Sequence, residues 1–171
     1  ALDLSGAIRA EDLPPSRLAR ARAKLELLLQ QRRGGEVGLL VFDQDAYVVA
    51  PLTDDTANVA LFLGALSPDI MPLALEASGP SHAGPAIEHA VELLRQAGFA
   101  HGDILVMSDH ADAAALEAAS RAAGAGYRIS AIGLGTAAGA ALLDALGTYR
   151  LARLDGASLR ALAGAGGGGD A

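Results

Sequence analysis

Ile104-Leu105-Val106-Met107-Ser108, a helical stretch over 112–123 closed by Gly124 and Gly126, and Tyr127-Arg128-Ile129-Ser130-Ala131-Ile132-Gly133 together decide the fold. Two short β-rich runs joined by one helix form a parallel strand–helix–strand unit, because parallel strands need a long crossover. Upstream, Val37-Gly38-Leu39-Leu40-Val41-Phe42 is nearly continuous in apolar residues, as a strand covered on both faces should be. Asp43-Gln44-Asp45 then turns the chain into Ala46-Tyr47-Val48-Val49-Ala50, and so short a connection makes this pair antiparallel.

The same reading extends to both ends. Pro14-Pro15-Ser16 opens a helix over 16–33 whose Leu18, Ala21, Leu25, Leu28 and Leu29 recur at helical spacing, and Gly34-Gly35 stops it. Its arginines read as a solvated face. Asp54-Asp55-Thr56 caps a helix reaching Leu66. The stretch 67–81 contains Pro68, Pro72 and Pro80 and reads as a long loop, a kind of segment that is often functional. A helix over 83–97 precedes the Ile104 strand. After Gly133 the pattern predicts a turn, a helix near 138–146, a last strand over 149–154 and a helix over 157–163. The result is an α/β domain over 1–163: a mostly parallel sheet with one antiparallel hairpin strand and helices on both faces. Residues 164–171 read as a Gly-rich tail or linker.

Composition narrows the function. The chain has 171 residues, a formal net charge of −7 and 4% aromatics with no Trp, which disfavours a nucleic-acid partner. Cysteine is absent, so disulfides, thiolate metal sites and cysteine nucleophiles are excluded. Mean hydropathy is +0.31, yet no apolar run approaches the roughly 18 residues of a membrane span. Ala1-Leu2-Asp3 reads as the tail of a strand already in progress, as in a soluble domain excised from a longer protein.

Ligands of open α/β sheets sit beyond the carboxyl ends of the strands. Three segments should meet there: Asp3-Leu4-Ser5-Gly6-Ala7, Ser108-Asp109-His110, and the loop end Gly79-Pro80-Ser81-His82. Their carboxylates and hydroxyls are hard oxygen donors suited to Mg²⁺ or Mn²⁺.

These residues resemble the von Willebrand factor A (VWA) domain and its metal-ion-dependent adhesion site (MIDAS), Asp-x-Ser-x-Ser with a separate Thr and a separate Asp. Asp3 and Ser5 match the first element, Ser81 the middle hydroxyl, and Ser108-Asp109 the last. Pro15-Ser-Arg-Leu18, Gly38-Leu-Leu-Val-Phe42, Ala46-Tyr-Val-Val-Ala-Pro-Leu-Thr53 and Ser67-Pro-Asp-Ile-Met-Pro72 are similar to VWA domains of bacterial Bat-type (aerotolerance-associated) membrane proteins. The resemblance implies a Rossmann-like fold and protein binding rather than catalysis. It implies Mg²⁺ or Mn²⁺ at Asp3, Ser5, Ser81 and Asp109, with a partner's carboxylate completing the shell. His82 and His110 fall on the partner-binding rim. It further implies Bat-type partners, a MoxR-type AAA+ ATPase, and a full-length protein anchored in the bacterial envelope. The departures are Ala7, which stands where a second Ser hydroxyl would ligate and so weakens the site, Pro80 before Ser81, and His110 in place of a Gly.

Two alternatives accompany this reading. One is a metal-independent binding or scaffold domain using the same rim. The other is a nucleotide-binding Rossmann enzyme: Gly133-Leu-Gly135-Thr-Ala-Ala-Gly139 follows a strand, precedes the expected helix, and has Asp155 about twenty residues on. The spacing is one residue off the usual fingerprint.

Overall fold

The computed structural model describes residues 1–71, 80–143 and 147–170. In chain order the strands and α-helices are β1 (Leu2–Asp3), α1 (Arg17–Gln31), β2 (Val37–Phe42), β3 (Ala46–Thr53), α2 (Thr56–Ala65), α3 (Ala83–Gln96), β4 (Gly102–Ser108), α4 (Ala113–Gly124), β5 (Tyr127–Gly133), β6 (Ala140–Leu143), β7 (Tyr149–Ala152), α5 (Gly156–Ala165) and β8 (Gly167–Asp170). Short 3₁₀ turns occupy Gly6–Arg9 and Pro68–Ile70.

Six strands form one sheet in the order β3-β2-β1-β4-β5-β8. Every pairing in it is parallel except β2 with β3. Strand residues alternate between two cores. Leu40, Phe42, Ile104, Val106, Ile129 and Ala131 face α3, α4 and α5. Leu39, Val41 and Met107 face the other way, with Ala21 of α1 and Val59 and Leu63 of α2. This period of two explains why β2 reads as an unbroken apolar run: both of its faces are covered. The low aromatic content is met by small residues, since Ala115, Ala118, Ala119 and Ala122 of α4 and Ala83, Ala86 and Ala90 of α3 are all buried.

The helix starts follow side-chain capping. Ser16 Oγ accepts from Ala19 N–H at 3.2 Å, Asp55 Oδ1 from Asn58 N–H at 3.0 Å, and Asp112 Oδ1 from Ala115 N–H at 2.8 Å.

Three expectations fail near the end of the chain. The helix expected near 138–146 is absent over its first residues. Ala140–Leu143 is instead β6, paired antiparallel with β7 from Ala140↔Ala152 to Leu143↔Tyr149, while 144–146 lie outside the described residues. Alanine and leucine favour helix, but cross-strand pairing outweighs that weak local preference. Second, β7 does not join the main sheet but stays in this two-stranded hairpin. Third, the sheet's last place goes to the glycine run read as a flexible tail: β8 pairs parallel with β5, Ile129 opposite Gly167. A Cβ at Gly166 or Gly168 would collide with Ile129, so this edge needs glycine for close approach. The expected loop over 67–81 contains the 3₁₀ turn at 68–70, and its part from 72 to 79 lies outside the described residues.

Candidate functional site

The chain reverses its direction of travel across the sheet between β1 and β4, which is where an open parallel sheet leaves a crevice. Asp3 ends β1, and Ser108-Asp109 ends β4. Ser81 arrives on the loop before α3. All four side chains are buried, as is Ser5.

Asp3 organises the floor of the crevice. Its Oδ1 accepts Ser5 N–H at 2.8 Å, tying the turn after β1. Its Oδ2 accepts the Ser81 hydroxyl at 2.5 Å and the Ser108 hydroxyl at 2.7 Å. Burial pushes the Asp3 carboxyl above its ordinary range and the Asp109 charge adds to this, while the donated hydrogen bonds pull it back. The structure therefore brings together Asp3, Ser81 and Asp109, with Ser5 adjoining them through its backbone.

Asp109 is held from both sides. Arg17 Nη1 donates to Oδ2 at 2.8 Å, and His110 Nδ1 lies 2.7 Å from Oδ1. His110 Nε2 lies 3.1 Å from the Ser81 carbonyl. A carbonyl accepts only, and so does an ionised carboxylate, so both ring nitrogens are set up to donate. The hydrogen bond to Asp109 raises the His110 pKa against the opposing effect of burial. His82 sits beside it on the rim, half-exposed, with Nδ1 at 2.7 Å from Oδ2 of Asp112.

Arg17 corrects the sequence reading of its helix. It belongs to no solvated face: its side chain is 0% exposed. Nε and Nη2 grip Asp12 at 2.8 and 3.0 Å, and Nη2 also donates to the Ala152 carbonyl of β7 at 2.9 Å. Asp12 in turn accepts from Thr136 N–H at 2.7 Å and its hydroxyl at 3.0 Å. The Arg17 hydrogen bond leads in lowering the Asp12 pKa to about 2. Gly135 makes this possible. Its φ is +135°, and a Cβ there would stand 2.6 Å from the guanidinium.

Sequence reasoning missed Arg17, Asp12, Thr136 and Asp43. Asp43 was read as turn only, yet it is buried at the end of β2, and its Oδ1 has no hydrogen-bond partner among the described residues. Burial, with the charge of Asp3, raises its pKa. One signal pointed to Arg17. A cation in a helix's first turn opposes the helix dipole and so needs a local anion.

The donor set can be tested against a divalent ion. Asp3, Asp109 and His110 place ligand atoms within 4.8 Å of one another. However, Ala7 supplies no oxygen, both Asp109 oxygens are engaged by Arg17 and His110, and both His110 nitrogens face acceptors. Octahedral Mg²⁺ demands several well-placed oxygens and retained waters. The residues as arranged do not fit it.

The dinucleotide outline fails on its context. Among the described residues no helix directly follows Gly133-Leu134-Gly135; the chain runs into β6, so no helix N-terminus at this turn faces a pyrophosphate. Asp155 is occupied as the cap of α5, accepting from Ala157 and Ser158 N–H at 3.1 Å.

The family model of the von Willebrand factor type A domain matches residues 1–111. The chain belongs to the VWA family. Its structure is similar to that of the conserved hypothetical protein BatB from Bacteroides thetaiotaomicron, with 29% identity and a TM-score of 0.87 over 99% of this chain and 85% of that one. An aerotolerance-related membrane protein from Bacteroides fragilis, carrying multiple mutations to serines, gives 27% identity and a TM-score of 0.86 over 99% of this chain and 87% of that one. Manganese-loaded TRAP protein from Plasmodium vivax shares the fold at 17% identity, with a TM-score of 0.60 over 78% of this chain and 55% of that one. No curated protein matches the chain. The VWA domain is thus similar to Bat-type domains along its whole length, and VWA domains are in general protein-interaction modules rather than catalysts. Among the described residues no helix is long and apolar enough to cross a membrane.

Proposed function

We propose that this VWA domain is the protein-binding module of a bacterial envelope complex and engages its partner with the carboxyl edge of the sheet. The observation that carries the reading is the convergence of Asp3, Ser5, Ser81 and Asp109 at the reversal point, with His82 and His110 on the rim. The likeness to Bat-type membrane proteins supports a membrane-anchored full-length protein, with another Bat-type protein or a MoxR-type AAA+ ATPase as partner.

Two modes of engagement can be compared. The first, in which Mg²⁺ or Mn²⁺ held by Asp3, Ser5, Ser81 and Asp109 would present a coordination position to a partner's carboxylate, is the one the donor set does not fit. In the second, the partner meets the edge directly. The absent hydroxyl at Ala7 and the engagement of Asp109 by Arg17 favour the second.

A photoreactive residue in place of Asp45, on the turn beside the edge, tests the reading against one in place of Asp103, at the start of β4. The probes are the purified MoxR-type ATPase and a second Bat-type protein from the same genome. The expected result is crosslinking to one of them from position 45 and not from 103. Crosslinking from 103 alone, or from neither, would contradict it.

A further inference from the structure

We propose that Arg17 is the resident cation of the carboxyl edge, engaging Asp109 so that the edge is complete without Mg²⁺ or Mn²⁺. The inference rests on the edge being the binding face and adds what that face presents.

Four observations converge. First, a fully buried guanidinium stays charged, and this one sits on Oδ2 of Asp109 at 2.8 Å. Second, it is fixed by more than Asp109: Asp12 takes it with two parallel bonds, and the β7 carbonyl of Ala152 takes a further N–H. Swinging it aside for an ion would break these bonds and leave Asp12 buried without its cation. Third, the turn after β5 is shaped around it, because any Cβ at Gly135 would enter the guanidinium. Fourth, Ala7 lines the same small cleft as Asp3, Arg17 and Asp109, so a methyl stands where a further ligating hydroxyl would be needed. The missing oxygen at Ala7 and the resident cation act in the same direction. A divalent ion would also face repulsion from the guanidinium across the carboxylate that was to hold its waters.

The consequence concerns recognition. An edge without an ion offers a partner's carboxylate no open coordination position. What it presents are its own side chains, among them the half-exposed His82.

The test is a titration of Mn²⁺ into the metal-stripped domain, with free aquo-Mn²⁺ read by electron paramagnetic resonance. Three proteins are compared: wild type, Ala7→Ser, and Ala7→Ser/Arg17→Gln, each checked for folding by circular dichroism. Free Mn²⁺ should track total Mn²⁺ for wild type and for Ala7→Ser up to about 1 mM. The double variant should bind one equivalent at least about tenfold more tightly than Ala7→Ser. Saturable binding by wild type or by Ala7→Ser overturns the proposal, because Arg17 would then not exclude the ion. A folded double variant that fails to bind overturns it equally. If the double variant does not fold, the first two proteins decide. No partner is present in the titration, so its failure leaves the crosslinking result standing, and a failed crosslink leaves the titration standing.

Discussion

Arg17→Met should be among the most damaging single substitutions in this domain. Methionine fills much of the same volume but leaves two buried carboxylates without their cation. The Asp12 pKa, lowered from 3.8 to about 2, corresponds to at most about 2.5 kcal/mol of favourable interaction with the ionised form, led by Arg17 and shared with the Thr136 N–H and hydroxyl, which survive the substitution. Asp109 loses a charged hydrogen bond of a type worth about 1.5–3 kcal/mol, partly retained through His110. The Ala152 carbonyl loses a donor as well. Some of this is recovered as water reaches the exposed acids. The expected net loss is therefore about 3–5 kcal/mol, the range found when one partner of a buried pair is removed. Urea unfolding at pH 7, followed by circular dichroism, would show it as a midpoint lowered by about 2 M at a typical slope of about 2 kcal/mol per M. Arg17→Met/Asp12→Asn should recover about 1–2 kcal/mol of the loss, because one stranded charge is gone. A midpoint lowered by less than about 0.5 M would refute the reasoning and mean that Arg17 does not hold these acids in solution.

Other expectations follow from the same geometry. Asp12 has a folded pKa below its unfolded value, so its contribution is complete above pH 3.8 and is lost as pH falls from there toward about 2; urea midpoints across this window should fall more steeply for wild type than for Asp12→Asn. Gly135→Ala forces a left-handed φ of +135° on a residue with a Cβ and drives that Cβ into the guanidinium, costing about 2–4 kcal/mol in the same assay. In the Arg17→Met background the cost should be smaller, since part of the clash has gone. Ile87→Ala removes a fully buried side chain between α3 and the sheet and should cost about 2–5 kcal/mol, with no change in partner crosslinking from the edge.

The sequence exposes the fold where covalent pattern and burial agree. The unbroken run Val37–Phe42 is visible because both sheet faces are covered there, and the observed strands Val37–Phe42 and Tyr127–Gly133 have the limits expected of them. Asp55 and Asp112 were legible as helix starts because short acidic side chains cap locally. The end of the chain was not legible. Ala140–Leu143 is helix-forming in isolation and becomes a strand only through a partner six to twelve residues on in the pairing register. The glycines of β8 look featureless until Ile129 is packed against them. The site divides in the same way. Asp3, Ser5 and Asp109 could be placed at one edge from strand ends, and Ser81 from the loop that leads into the helix over 83–97. Arg17 could not, because its acids lie 5 and 92 positions away, and only the folded turn at Gly135 makes room for it.

The most direct test is a crystal structure of the domain grown with Mn²⁺, phased so that an anomalous map locates the ion. The account predicts no anomalous peak at the carboxyl edge, with Arg17 Nη1 still on Oδ2 of Asp109. An ion bound by the Ser5 and Ser81 hydroxyls, with Arg17 turned away from Asp109, would contradict it.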